Sequence, residues 1–286
     1  MSQIELILLV QKLQNTVIDY FFMAVTMLGT ESAYLLLVPL IYWCFNREIG
    51  FRVGILFISS MFLNDWLKDW IQAPRPDPQV VRVLFAESGG GYSFPSGHAQ
   101  GVATFWGYLA ARVANSRFTY WAAALVLLVS LSRIYLGLHY PVDVLAGIAL
   151  GLVIVYGFRQ LEKGVIPKLK DISISWQLLL AIILSLALLI LYHDGLAFKI
   201  VGAMIGLVSG YILSYRWVEF QVESPITRQL AKVGIGVATL VLLRVGAKAL
   251  LPVSNLADLS SYFLITFGAL FLVPIIFKRL ELIKPQ

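Results

Sequence analysis

Charge is the scarcest ingredient of this sequence: of 286 residues, 13% are Asp, Glu, Lys or Arg. A soluble domain carries about 25%, so an ordinary water-covered globule is excluded. Cysteine is nearly missing too. The single Cys44, inside YLLLVPLIYWCF, can form no internal disulfide and reads as an inert buried thiol. With three His in the chain, imidazole chemistry has few places to reside. No Asn-x-Ser/Thr acceptor occurs, which favours a bacterial source, and the opening MSQIELILLVQKLQNTVIDYFF lacks a basic start and a small-residue cleavage site. No cleavable leader is therefore expected.

Apolar side chains fill the space that charge leaves. Hydrophobic residues make up 59% of the chain and its mean hydropathy is +0.82, the composition of an integral membrane protein. The net charge of +6 comes from Lys and Arg scattered at the ends of apolar runs, not from a basic patch, so no nucleic-acid partner is expected. A membrane span needs about 20 apolar residues, and backbone in lipid must be helical unless it lines a cavity. By that ruler the spans fall near 31–45, 50–70, 98–115, 118–138, 142–160, 174–192, 197–214, 230–250 and 258–277. Residues 3–28 form a further apolar helix, but Gln11, Lys12, Gln14, Asn15 and Asp19 place its first half at the interface before Gly29 breaks it. The expected fold is an all-α, polytopic helical bundle with about nine transmembrane helices.

The loops set the orientation. One side collects Arg47 and Arg52, Arg112 and Arg117, then Arg159, Lys163, Lys168 and Lys170. The same side ends with Arg216, Arg228, Lys232, Lys278, Arg279 and Lys284. By the positive-inside rule that side is cytoplasmic, and the stretch GYSFPSGH at 91–98 faces outward.

A few cations break the pattern on the outer side. Lys68 ends the second span, Arg75 follows it, and Arg133 lies near the end of the fourth span, six residues before His139. Cations at membrane depth are costly and take partners. Lys68, Arg75 and Arg133 fall at one depth with His98 and His139, so a multiply charged anion is the simplest shared partner. Asp65, Asp69 and Asp77 are nearby carboxylates, of which Asp65 and Asp69, one turn apart near Lys68, read as interfacial or supporting groups, and His193 reads as an outer-loop residue. Ser96 suits a helix N-cap, which leaves the Gly97 and His98 amides pointing at an anion. Gly97, without a side chain, lets that anion come close to the backbone. Pro141 suits the first turn of the fifth span, and Asp143 in that turn reaches back to the His139 ring, as a nucleophilic histidine requires. Two His and one Asp could also ligate a metal, but three cations beside them would repel it.

The stretches KDWIQAPRP (68–76), PSGH (95–98) and SRIYLGLHYPVD (132–143) resemble the three-part signature of the type-2 phosphatidic acid phosphatase superfamily. That superfamily includes membrane lipid-phosphate phosphatases, glucose-6-phosphatases and vanadium haloperoxidases. The resemblance covers roughly residues 30–160 and leaves 174–277 outside. It implies that His139 attacks phosphorus to give a phosphohistidine and that Asp143 orients it. It further implies that His98 protonates the leaving alkoxide and then activates water. Lys68, Arg75, Ser96, Gly97 and Arg133 would hold the non-bridging oxygens, with no metal or other cofactor. The implied organisation is an interfacial helix at 1–29, a phosphatase core at 30–162 and a C-terminal transmembrane bundle of unknown role at 163–286.

A haloperoxidase is soluble and a glucose-6-phosphatase needs a polar sugar pocket. An apolar core with an outward site at headgroup level instead implies a membrane lipid phosphate or diphosphate, entering sideways between helices. YLLLVPLIYWCFNREIGFR is also similar to the sphingosine-phosphate phosphatase-like branch. The rival readings are a lipid-phosphate transporter or binding protein using the same basic pocket, and a phosphatase of a small polar phosphate ester. Gly202, Gly206 and Gly210, at four-residue spacing, form a close-packing face for the catalytic core or for a second copy in a homodimer.

Overall fold

Short polar side chains start the helices. Ser2 and Glu5 form a capping box on α1 (Gln3–Gln11), and the Asn15 side chain accepts from Ile18 N at the start of α2 (Thr16–Met27). Asn115 accepts from Phe118 N at the start of α6 (Ser116–Tyr135). Each bond satisfies a backbone donor that the helix itself cannot. In this computed structural model, which describes residues 1–164, 172–192 and 195–285, the remaining helices are α3 (Glu31–Cys44), α4 (Arg47–Ile71), α5 (Gly97–Val113) and α7 (Pro141–Gly164). They are followed by α8 (Ile174–Leu191), α9 (Gly195–Trp217), α10 (Ile226–Leu250) and α11 (Asn255–Arg279). The only strands among the described residues are two of two residues each, paired antiparallel with Phe220 opposite Pro285 and Gln221 opposite Lys284. Lys168, Lys170 and His193, singled out in the sequence, lie outside the described residues.

All nine expected spans are helices, but the span count is lower. Among the described residues six helices, α6 to α11, are long and apolar enough to cross a membrane, and a seventh span arises if α2 and α3 act as one bent span. The shortfall from nine has a compositional cause. α3 has 14 residues and α5 has 17, and α4 carries Arg47, Glu48, Arg52, Asp65, Lys68 and Asp69.

The chain divides into two compact units, Met1–Tyr34 with Ser59–Gln160, and Leu35–Ile58 with Leu161–Gln286. In the first unit α6 is covered by α5, α2 and α1. Phe22 of α2 meets Tyr135, Leu136 and Leu138 in one buried cluster, and Val25 meets Val102 and Val129 in another. Gln11, Gln14 and Asp19, three of the polar residues that suggest an interfacial helix at 3–28, have distant partners inside this unit. Gln11 Nε2 donates to the carbonyls of Arg82 and Tyr135, at 2.6 and 2.9 Å. Asp19 pairs with Arg82 and accepts from the Tyr135 hydroxyl.

Glycine brings α7 against α5. A Cβ at Gly147 would lie 2.6 Å from the Ser96 carbonyl oxygen, and one at Gly151 would lie 2.7 Å from that of Gln100. Small residues four apart allow such backbone contact, and here it places the start of α5 beside the start of α7. In the second unit the Gly202, Gly206 and Gly210 face of α9 lies on Leu259, Phe263, Thr266, Phe267 and Leu270 of α11. That face is therefore covered within its own unit, and neither the catalytic core nor a second copy is needed to cover it. Trp43 Nε1 donates to Ala269 O at 2.7 Å, within the π-helical turn Gly268–Leu272 of α11.

Gly147→Val is expected to destabilise the protein by about 1–3 kcal/mol, the usual cost of overpacking. Gly234→Val in α10, where an added Cβ meets nothing within 4 Å, is expected to change stability by less than about 0.5 kcal/mol. Thermal melting of both variants in detergent checks this; equal melting temperatures would contradict the packing described for α5 and α7.

Candidate active site

Four helix ends surround the residues singled out by the sequence: the end of α4, the start of α5, the end of α6 and the start of α7. Gly137 makes the turn between α6 and α7 possible. Its φ of +69° suits glycine, and the turn is closed by Leu138 N donating to Arg133 O and Leu84 N donating to Leu136 O, both at 3.0 Å. This delivers His139, buried, to the start of α7.

At that start Asp143 acts on the backbone first. Its Oδ2 accepts from Tyr140 N at 2.8 Å, the reach-back of a third helical residue to its cap. The same oxygen accepts from Ser93 Oγ at 2.5 Å, and the Asp143 carbonyl accepts from Ser96 N at 3.0 Å. The carboxylate stands 3.5 Å from His139 Nδ1, while Ser93 Oγ is closer to that nitrogen, at 3.3 Å. The direct Asp143–His139 contact read from the sequence is thus shared with a serine that the sequence reading missed.

The other ring nitrogen faces Arg75. Arg75 Nη1 lies 3.2 Å from His139 Nε2, and a guanidinium only donates. His139 Nε2 is therefore the acceptor and Nδ1 carries the proton. Burial, reinforced by the charges of Arg133, Arg75 and Lys68, holds this imidazole well below the usual histidine range, so it is neutral at pH 7. Arg75 also donates to the carbonyls of Leu138 (2.6 Å), Gly90 (2.7 Å), Gly91 (2.9 Å) and Tyr92 (3.2 Å). It latches the 90–92 loop to the turn that bears His139, beyond the anion contact read from the sequence.

Arg133 is fully buried. It donates to Thr26 Oγ1 (2.7 Å), Ser88 Oγ (3.0 Å) and Ser88 O (2.8 Å). Its Nε, together with Ser96 Oγ and His98 Nε2, is buried without a hydrogen-bond partner. Ser96 is the backbone N-cap of α5, as expected, but its hydroxyl makes no capping bond. Lys68 lies beside Gly97, whose Cβ would stand 4.0 Å from Lys68 Nζ and 3.0 Å from Asn64 Oδ1. His98 lies in the field of Arg133, His139, Lys68 and Arg75. Buried polar groups without partners are rare, and three of them among clustered cations suit an anion with several acceptor oxygens. Among the described residues no three His, Cys, Asp or Glu side chains form a metal-ligating group. Asp65 lies in the field of Lys68, and Asp77 caps its own turn through Gln79 N.

Comparison with known proteins bears on the same residues. Residues 50–166 match the model described as the PAP2 superfamily. Phosphatidylglycerophosphatase B of Bacillus subtilis (strain 168) is 33% identical over 159 residues, covering 49% of this chain and 74% of that one. The chain belongs to the PAP2 superfamily. Residues 198–285 match the model described as PAP2 superfamily phosphatase, transmembrane extension. Family likeness therefore reaches beyond residue 160, where the motif resemblance ends. Lipid phosphate phosphatase delta of Arabidopsis thaliana is 28% identical over 281 residues, covering 86% of this chain and 66% of that one. Sphingosine-1-phosphate phosphatase 1 of Mus musculus is 34% identical over 164 residues, covering 52% and 36%. The chain thus spans about two thirds of the plant relative's length and about a third of the mouse relative's.

In this PAP2 protein the residues that support the motifs were largely silent in the sequence. Asn64 Nδ2 donates to Gln100 Oε1 at 2.8 Å, Gln100 Nε2 donates to Ser60 O at 2.8 Å, and Ser60 Oγ lies 2.9 Å from Thr104 Oγ1. This buried network fixes α4, and with it Lys68, against α5 and PSGH. The available signal was a set of amides and hydroxyls inside apolar runs, which must find partners when buried.

Proposed function

We propose that this protein removes phosphate from a membrane lipid phosphate or diphosphate through a phosphohistidine on His139. The observation that carries the reading is the set of buried, unpartnered polar atoms, Ser96 Oγ, His98 Nε2 and Arg133 Nε, in the unit that also holds Lys68, Arg75 and His139. Phosphoryl transfer rests on positioning and charge neutralisation, and these groups supply both. His139 Nε2 attacks phosphorus, the bond to the lipid oxygen breaks, and His98, protonated when the negative charge of the bound phosphate offsets the surrounding cations, gives that oxygen its proton. Water then attacks the phosphohistidine as His98 takes a proton from it, releasing phosphate and restoring His139. Lys68, Arg133, Ser96 and the Gly97 amide hold the non-bridging oxygens, joined by Arg75 when one of its N–H groups leaves Nε2. Neutral His139 keeps its lone pair at pH 7, as the first step requires.

A lipid substrate is supported by the wall outside Lys68. Trp66 and Trp70, one turn apart on α4, are exposed and stacked, with ring centroids 6.3 Å apart. Exposed tryptophans mark the membrane–water interface, so the phosphate sits at headgroup level and the tail stays in lipid. The names of the plant, bacterial and mouse relatives point to the same substrate class.

Each buried CH₂ contributes about 0.8 kcal/mol, and a tail bound equally in ground and transition states acts mainly on KM. Purified protein with EDTA present is expected to release inorganic phosphate from a short-chain phosphatidic acid. Its KM should be orders of magnitude below that for p-nitrophenyl phosphate or glucose 6-phosphate. Equal efficiency on the soluble esters would refute the lipid assignment, loss of turnover in EDTA would refute the metal-free route, and binding without release would make the protein a lipid-phosphate binder or transporter.

We also propose that the site faces away from the cytoplasm, because the opposite ends of α5, α6 and α7 carry Arg112, Arg117, Arg159 and Lys163. Cysteines placed at 86–91 in a Cys44→Ala background are expected to react with an impermeant thiol reagent added to intact cells. Labelling only after permeabilisation would reverse the orientation.

A further inference from the structure

Asp143 is well placed to support charge on His139, yet it does not hold the ring alone. Its Oδ2 is 3.5 Å from Nδ1, whereas it accepts a 2.5 Å hydrogen bond from Ser93 Oγ. Ser93 Oγ is itself 3.3 Å from Nδ1. The Ser93 backbone carbonyl also lies within reach of the ring N–H, and the side-chain path has a self-consistent set of donor and acceptor roles. Arg75 at Nε2 leaves the ring proton on Nδ1. The carboxylate only accepts, so the Ser93 hydroxyl proton points to Asp143 and its oxygen lone pairs face Nδ1–H. Ser93 has no other side-chain partner among the described residues. It is fully buried, and its amide is tied to Ala73 O at 2.9 Å, just upstream of Arg75. The hydroxyl is therefore held between the two groups by backbone on one side and by the carboxylate on the other.

We infer that Ser93 is a positioning residue for the nucleophile, accepting the Nδ1–H of His139 and passing the influence of Asp143 to the ring through its own hydrogen bond. The inference rests on the reading of His139 as nucleophile. When Nε2 forms its bond to phosphorus and the phosphorus–oxygen bond to the lipid breaks, the ring becomes cationic. The proton stays on Nδ1, and no proton passes along the path. What changes is the polarisation of the two hydrogen bonds, which strengthen together as charge appears on the ring. Loss of the hydroxyl should therefore slow phosphoryl transfer while leaving lipid binding in place.

The isosteric pair Ser93→Thr and Ser93→Val separates hydroxyl from shape. On a short-chain phosphatidic acid, kcat is expected to fall about 10- to 100-fold in Ser93→Val and Ser93→Ala, the effect of a hydrogen bond to a charged group. KM should move less than about threefold, and Ser93→Thr should stay within a few-fold of wild type. Adding Asp143→Asn to Ser93→Val should cost little beyond the larger single loss, because both act along one path. Equal kcat in the Thr and Val variants, a loss confined to KM, or additive losses in the double variant would overturn the inference. A readout without turnover distinguishes it from failure of the phosphatase reading. In ¹⁵N-histidine-labelled protein, the His139 Nδ1–H resonance should be downfield and slowly exchanging in wild type and Ser93→Thr, and should lose both properties in Ser93→Val. An unchanged resonance in Ser93→Val would overturn the role of Ser93 even if wild type hydrolyses nothing.

Discussion

One buried carboxylate joins the parts of the site that are far apart in sequence. Asp143 takes the Tyr140 amide at the start of α7 and the Ser93 hydroxyl of the loop before α5. Its carbonyl takes the Ser96 amide at the start of α5. A charged group leaves water at a cost of several kcal/mol unless its oxygens are well hydrogen-bonded, and here short bonds and nearby cations offset part of that cost. The same contacts settle where His139 points. Without them the α7 start, the PSGH turn and the imidazole would each have their own freedom.

The helices provide the depth and the rigidity that this arrangement requires. Gly147 and Gly151 let α7 touch the backbone of α5, and the Asn64–Gln100–Ser60–Thr104 network locks α4 to α5. Arg133 depends on a third support, the Thr26 hydroxyl of α2. Gly29, just after α2, leaves no room for a side chain, since its Cβ would lie 2.8 Å from the His98 ring. The N-terminal helices are thus part of the wall of the site. The second unit uses the same device, glycine against helix, to seat α9 on α11.

The candidate site residues were legible in the sequence because charge in an apolar chain is conspicuous. Lys68, Arg75 and Arg133 stood out against 59% hydrophobic composition, and the His139–Asp143 spacing followed from helical geometry. The supporting residues were not legible for a physical reason. Thr26 reaches Arg133 across 107 positions, and a threonine in an apolar helix gives no periodic signal of a distant partner. Ser93 lies within the stretch that attracted attention, but its place between ring and carboxylate depends on how two loops meet. Helix positions followed from hydropathy, whereas the number of spans did not, because α3, α4 and α5 are helices whose length or charge falls short of a lone span. The glycine face at 202–210 was legible as a packing face, but nothing in its spacing named α11 as its occupant.

The central claim is that His139 becomes covalently phosphorylated. Rapid acid-free quenching of turnover with a radiolabelled lipid phosphate, followed by mass-spectrometric localisation, tests it directly. The account predicts an acid-labile, base-stable phosphoramidate on His139 that forms within one turnover and is missing from His139→Ala. Label on another residue, or steady turnover in His139→Ala, would contradict it.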